Sequence, residues 1–243
     1  MTLSLRRKLT IIPLLLYWPA IFILSHIPIP RLVRRAGVSD KILHFLIFLI
    51  LSFLLWFAVS PNRKVNWRKI TVWVVFLVMA GYGAVDEWLQ SYVGRSADIM
   101  DFSSDMAGLL TGLILFSFFT FWPAFLVVTG IAIFLLTNLT RVNPADLLPR
   151  TNALFHLSAY AIFTVLWIQC ISRWLIKTPR LKGLIVTLVI PTGLLLAVKL
   201  FSAFFGRYFN VRDVIISAAA IASVVVIYYI TSLLQYRKSK IKM

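Results

Sequence analysis

Long apolar runs alternate with short polar stretches along the 243-residue chain. The runs fall near residues 10–26, 41–59, 70–91, 99–118, 121–138, 152–172, 183–205 and 213–235. Each approaches the roughly 20 residues that a helix needs to cross about 30 Å of hydrocarbon. In that medium a segment must satisfy its own backbone hydrogen bonds, so a lone apolar run of this length reads as a helix. The pattern predicts an all-α integral membrane protein with about eight transmembrane helices.

Composition agrees, with 60% hydrophobic and only 14% charged residues. A water-soluble fold could not hide that much apolar surface, so the lipid bilayer is the first expected partner. The net charge of +17 comes from 25 Lys and Arg against 8 Asp and Glu. The basic residues cluster between apolar spans, as cytoplasmic loops and anionic headgroups use them, so nucleic acid is not expected as a partner. Cys170 is the only cysteine and has no partner for a disulfide or a thiolate metal site. The first run lacks a small-residue cleavage site and ends in Ser25-His26-Ile27-Pro28, which predicts a retained helix rather than a signal peptide.

Charge sets the expected orientation. Arg6, Arg7 and Lys8 precede the first span, and Arg63, Lys64, Arg68 and Lys69 fill the loop after the second. Arg173, Lys177, Arg180 and Lys182 follow the sixth span, and Arg237, Lys238, Lys240 and Lys242 follow the eighth. By alternation all four clusters share one side, so the N- and C-termini are expected in the cytoplasm of a bacterial cell, with the chain in its cytoplasmic membrane. Arg31, Arg34 and Arg35 run against this rule, because the same topology places them outside.

A single offset relates the two halves. His44 and His156, Arg95 and Arg207, and Asp101 and Asp213 are each 112 residues apart, and Gly81 meets Gly193 at the same spacing. The spans match four to four, which predicts two parallel four-helix repeats, residues 1–118 and 119–243. Asp86, Glu87 and Gln90 of the first half face Val198, Lys199 and Ser202 of the second, so the second copy reads as chemically degenerate.

Ionisable residues inside such spans are costly, at least about 2–3 kcal/mol for a central Asp, and are expected to converge within the bundle. Asp40 and His44 share a helix face at the start of the second span, with Ser39 as the expected N-cap. Asp86 and Gln90 share a face at the end of the third, with Glu87 one step round, and Asp98, Asp101 and Asp105 recur at helical spacing on the fourth. These three helix ends fall at one level, extracytoplasmic by the topology above. Arg95 lies between the acidic segments and could pair with Asp86, Asp98 or Asp101, making the group a structural clasp. One arginine cannot neutralise five carboxylates, and the excess negative charge favours a site for a proton, a cation or a polar ligand. His26 is expected at the headgroup boundary with no chemistry. No tight ligand motif such as two histidines four apart is present, so a metal is not expected, and no cofactor is assigned. Beneath the charges, Gly108 and Gly112 form a small-xxx-small pattern, and Gly81 and Gly83 thin the third span, so helices can approach closely there.

The run Asp40-Lys41-Ile42-Leu43-His44-Phe45, then Asp86-Glu87-Trp88-Leu89-Gln90, Gly94-Arg95 and Asp101 to Gly108, resembles the VanZ-like family of bacterial membrane proteins. The resemblance covers about residues 10–118 and reaches the second half only through its histidine, Gly-Arg pair and aspartate. The family often has Tyr where this chain has Phe48 and Asn where it has Asp105. It takes its name from teicoplanin resistance and implies a place in the cell envelope without an agreed reaction. Three functions follow as expectations. One is a binding site for a polar headgroup, a glycan precursor or a glycopeptide-like ligand. The second is a membrane-embedded enzyme acting on a lipid or lipid-linked substrate, with His44 or a carboxylate as acid/base and Arg95 on a phosphate. The third is a proton-coupled lipid or small-molecule transporter, which lacks matching Gly/Pro-broken helices in the two halves.

Overall fold

The computed structural model describes residues 5–27, 39–93, 98–138, 148–172, 181–206 and 210–241. Among these, eight helices are long and apolar enough to cross a membrane. They are α1 (Leu5–His26), α2 (Asp40–Val59), α3 (Ile70–Gln90), α4 (Ile99–Phe118), α5 (Phe121–Asn138), α6 (Pro149–Ile171), α7 (Leu181–Phe204) and α8 (Val211–Ile241). A single 3₁₀ turn, Ser91–Val93, extends α3. The chain forms two compact units, Met1–Val128 and Thr129–Met243.

In the first unit α2 is the central helix. It is apolar around its whole circumference, as a helix enclosed by others must be, and its longest interface is with α4. The two run parallel and in register, because His44 meets Asp105, Ser52 lies against Gly112, and Phe57 packs on Phe116 with ring centroids 5.2 Å apart. A Cβ built on Gly108 would run into the Phe45 carbonyl, and one on Gly112 into the Ser52 hydroxyl. The small residues therefore set the approach of α4 to α2. Gly83 of α3 faces the Phe48 ring and Asp105, whereas Gly81 faces open space and thins nothing.

Away from the acidic end, Phe53, Phe57, Phe116 and Phe121 form a buried aromatic core, with Phe125 against Phe53 at 5.1 Å. These contacts draw the start of α5 into the first unit. The outer faces are apolar instead of polar: Leu16 is 70% exposed, Ile70 75% and Ile99 74%. Such an apolar jacket is stable only against lipid.

In the second unit α8 packs chiefly on α6 and then on α7. Asn152 meets Asp213 and His156 meets Ser217, so α6 and α8 are also parallel.

Candidate functional site

The N-terminal ends of α2 and α4 and the C-terminal ends of α1 and α3 lie together at one end of the first unit. His44, Asp86, Glu87, Gln90, Asp101 and Asp105 are all buried there. Because consecutive residues of α3 point in different directions, Asp86 and Glu87 enter different polar groups.

The inner group joins α2, α3 and α4. His44 Nδ1 lies 3.0 Å from Asp105 Oδ1 and 3.8 Å from Glu87 Oε1. Glu87 Oε2 accepts the Asp98 backbone N–H at 3.1 Å, one of the orphan donors at the start of α4. The other oxygens, Glu87 Oε1 and Asp105 Oδ2, are buried without a hydrogen-bond partner. Glu87 keeps 6% of its surface exposed and Asp105 none.

The outer group joins α1 to α3. Gln90 Nε2 donates to Asp86 Oδ2 at 2.8 Å, one helical turn away, and the Ser25 hydroxyl donates to Asp86 Oδ1 at 2.9 Å. His26 Nδ1 is 3.8 Å from the same oxygen. His26 is thus no mere boundary residue, since it and Ser25 bring a fourth helix to the carboxylates. The signal was available: α1 must end at the level where α2 begins, and it ends on two polar residues.

At the rim, Lys41 Nζ donates to Asp98 Oδ2 at 3.0 Å and to Asp101 Oδ1 at 3.3 Å. Lys41 sits inside the acidic motif, yet its role emerges only once α2 and α4 are parallel. Asp40, His44 and Asp101 offer ligand atoms within 4.8 Å of one another. Asp98 is not a further helical position but the N-cap of α4, accepting the Met100 backbone N–H at 2.8 Å. That N–H, followed by Lys41, holds the Asp98 carboxyl below its ordinary range. Ser39 occupies the N-cap position of α2 without making a side-chain capping bond. Arg95, with Gly94 and Arg207, lies outside the described residues, as do Arg31, Arg34 and Arg35.

Among the described residues, no lysine or arginine pairs with Asp86, Glu87 or Asp105. In the second unit the balance differs. Asp213 accepts from Asn152 at 2.8 Å and lies 3.4 Å from His156 and 3.7 Å from the buried Lys199 amine. His156 Nδ1 stands 3.3 Å from the Ser217 hydroxyl, the same 61-residue separation as His44 and Asp105.

The family model described as VanZ/LLP1 matches residues 6–121, which takes in α1 from Arg6 onward, α2 to α4 and every residue of both polar groups. No curated protein and no solved structure matches the chain.

Proposed function

We propose that the polar end of the first unit, whose residues 6–121 match the VanZ/LLP1 family model, binds the polar head of an amphiphile of the bacterial cell envelope. The ligand class is a lipid headgroup, a glycan precursor or a glycopeptide-like molecule. The site faces the extracytoplasmic leaflet, with the four basic clusters on the cytoplasmic side of the inner membrane.

One observation carries this reading. Asp86, Glu87 and Asp105 are buried together, and the described residues supply them with no Lys or Arg partner. A structural clasp closes its charges, as Lys199 and Asp213 do in the second unit. Carboxylates that the described residues leave without a Lys or Arg partner at a helix-bundle end are costly, and such residues mark ligand or ion sites.

A second reading rests on the His44–Asp105 pair at 3.0 Å, a His–carboxylate dyad suited to proton transfer on a lipid-linked substrate. Purified chain in liposomes separates the two. Retention of fluorescent headgroup-bearing amphiphiles is measured for the parent and for Asp86→Asn, Glu87→Gln and His44→Ala, alongside any water-soluble product. Retention lost in the variants with no product from the parent supports binding. Product released by the parent and abolished in His44→Ala supports the enzyme, and equal retention by all four proteins with no product from the parent overturns both.

A further inference from the structure

His44, Glu87 and Asp105 come from three helices, are all buried, and offer ligand atoms that lie within 4.8 Å of one another. A four-coordinate ion about 2.0–2.2 Å from each donor would space its ligands about 3.3–3.6 Å apart. His44 Nδ1 stands 3.0 Å from Asp105 Oδ1 and 3.8 Å from Glu87 Oε1, which brackets that spacing. The second observation is independent of the cluster's composition. Glu87 Oε1 and Asp105 Oδ2 are buried without a hydrogen-bond partner, and each belongs to a side chain more than nine-tenths enclosed. Buried carboxylate oxygens require a proton, a donor or a cation.

We propose that His44, Glu87 and Asp105 bind one divalent cation of the kind that accepts mixed imidazole and carboxylate donors, with Zn²⁺ the best match. Two carboxylates and a dication are together neutral, which is the occupancy a low-dielectric bundle favours. One nitrogen and two oxygens suit Zn²⁺ better than Mg²⁺ or Ca²⁺, which take six or more oxygens. Glu87 Oε2 is already held by the Asp98 backbone N–H, a fixed orientation of the kind that outer partners give to metal-bound carboxylates. Three protein ligands leave a coordination position for an oxygen of the bound headgroup. The inference therefore deepens, and in its ligand role rests on, the binding function proposed above.

The triad of Asp40, His44 and Asp101 has a weaker claim, because Lys41 already supplies positive charge to Asp101. The second unit shows a different solution. At the 112-residue offset Lys199 stands for Glu87 and Ser217 for Asp105, so one carboxylate is replaced by a built-in cation and the other by a neutral hydroxyl. Lys199 pairs with Asp213, and that cluster needs no added ion.

The test uses full-length protein purified in detergent, stripped with chelator and titrated with Zn²⁺ alone. Bound metal is measured by mass spectrometry and thermal unfolding by tryptophan fluorescence. Parent protein is expected to bind about one equivalent with a rise in Tm. Glu87→Gln and Asp105→Asn should each weaken binding at least about tenfold, while Asp213→Asn leaves it unchanged. If the parent retains no more Zn²⁺ than either variant, the site is overturned. Should a variant fail to fold, the parent's Zn²⁺-dependent Tm rise, absent with Mg²⁺, carries the test, and no rise overturns it. Amphiphile retention measured with and without chelator separates the two proposals. Retention by stripped protein that binds no Zn²⁺ overturns the cation alone, whereas Zn²⁺ binding without retention upholds the cation and overturns the headgroup reading.

Discussion

At the scale of single residues, energetics turn on which buried oxygens keep a partner. Among the described residues, His44 is the only group within hydrogen-bond distance of Asp105 Oδ1, and Asp105 Oδ2 has none. His44→Ala therefore strips a wholly buried carboxylate of its last donor. Its expected cost is about 1–3 kcal/mol, the usual penalty for a buried polar group left unsatisfied. Asp105→Asn should cost less, because an amide keeps an acceptor for the ring and removes the charge. Thermal unfolding of both variants in detergent with chelator checks the order, and a larger loss for Asp105→Asn would contradict it. Asp98 acts locally: its carboxylate caps α4 and pairs with Lys41, and it is the loss of those contacts, not charge burial, that a substitution there would expose.

At the scale of helices, close approach is set by two glycines of α4. A Cβ at Gly108 meets the Phe45 carbonyl, a backbone atom that cannot swing aside, so Gly108→Ala must move α4 away from α2. The expected loss is about 1–3 kcal/mol, as for other overpacked sites, with weakened Zn²⁺ binding because His44 and Asp105 ride on the separated helices. Gly81→Ala is the matched control. Nothing lies within 4 Å of its added Cβ, and a helix interior gains up to about 1 kcal/mol from alanine. Chemical denaturation of the two variants, read by tryptophan fluorescence, distinguishes them. The helices themselves were legible in the sequence because lipid makes run length the signal. The runs 99–118 and 121–138 reappear as Ile99–Phe118 and Phe121–Asn138. Less was legible where polar residues ride on helices: α1 begins at Leu5, carrying Arg6, Arg7 and Lys8, and α8 continues to Ile241. Periodicity placed Asp86 and Gln90 on one face, which their 2.8 Å bond bears out. It could not show that Ser25 reaches across from α1, nor that the Glu87 carboxylate takes its donor from the Asp98 backbone, because those contacts belong to packing between helices.

At the scale of the whole molecule, orientation and duplication are the two open physical claims. The four basic clusters predict that Lys64→Cys, on a Cys170→Ser background, reacts with a membrane-impermeant maleimide only after cells are permeabilised, while the exposed Tyr92→Cys reacts in intact cells. The opposite pattern would invert the topology. Duplication makes a sharper claim. Within each unit the His-bearing helix and the acid-bearing helix run parallel, with His44 against Asp105 and His156 against Ser217, each pair 61 residues apart in sequence. If the second unit is a copy whose chemistry drifted, its backbone still holds the positions of a cation site, and two side chains account for the difference. Lys199→Glu would replace the built-in cation with the missing carboxylate, and Ser217→Asp would restore the partner of His156. The double variant should then bind about two equivalents of Zn²⁺ per chain, and about one when combined with Glu87→Gln. Lys199→Met with Ser217→Asp removes the amine but supplies one carboxylate fewer, and should stay at about one. Metal content of monodisperse, folded protein decides the matter. A double variant that remains at one equivalent would mean that the 112-residue offset preserves residue order without preserving the geometry that a metal requires.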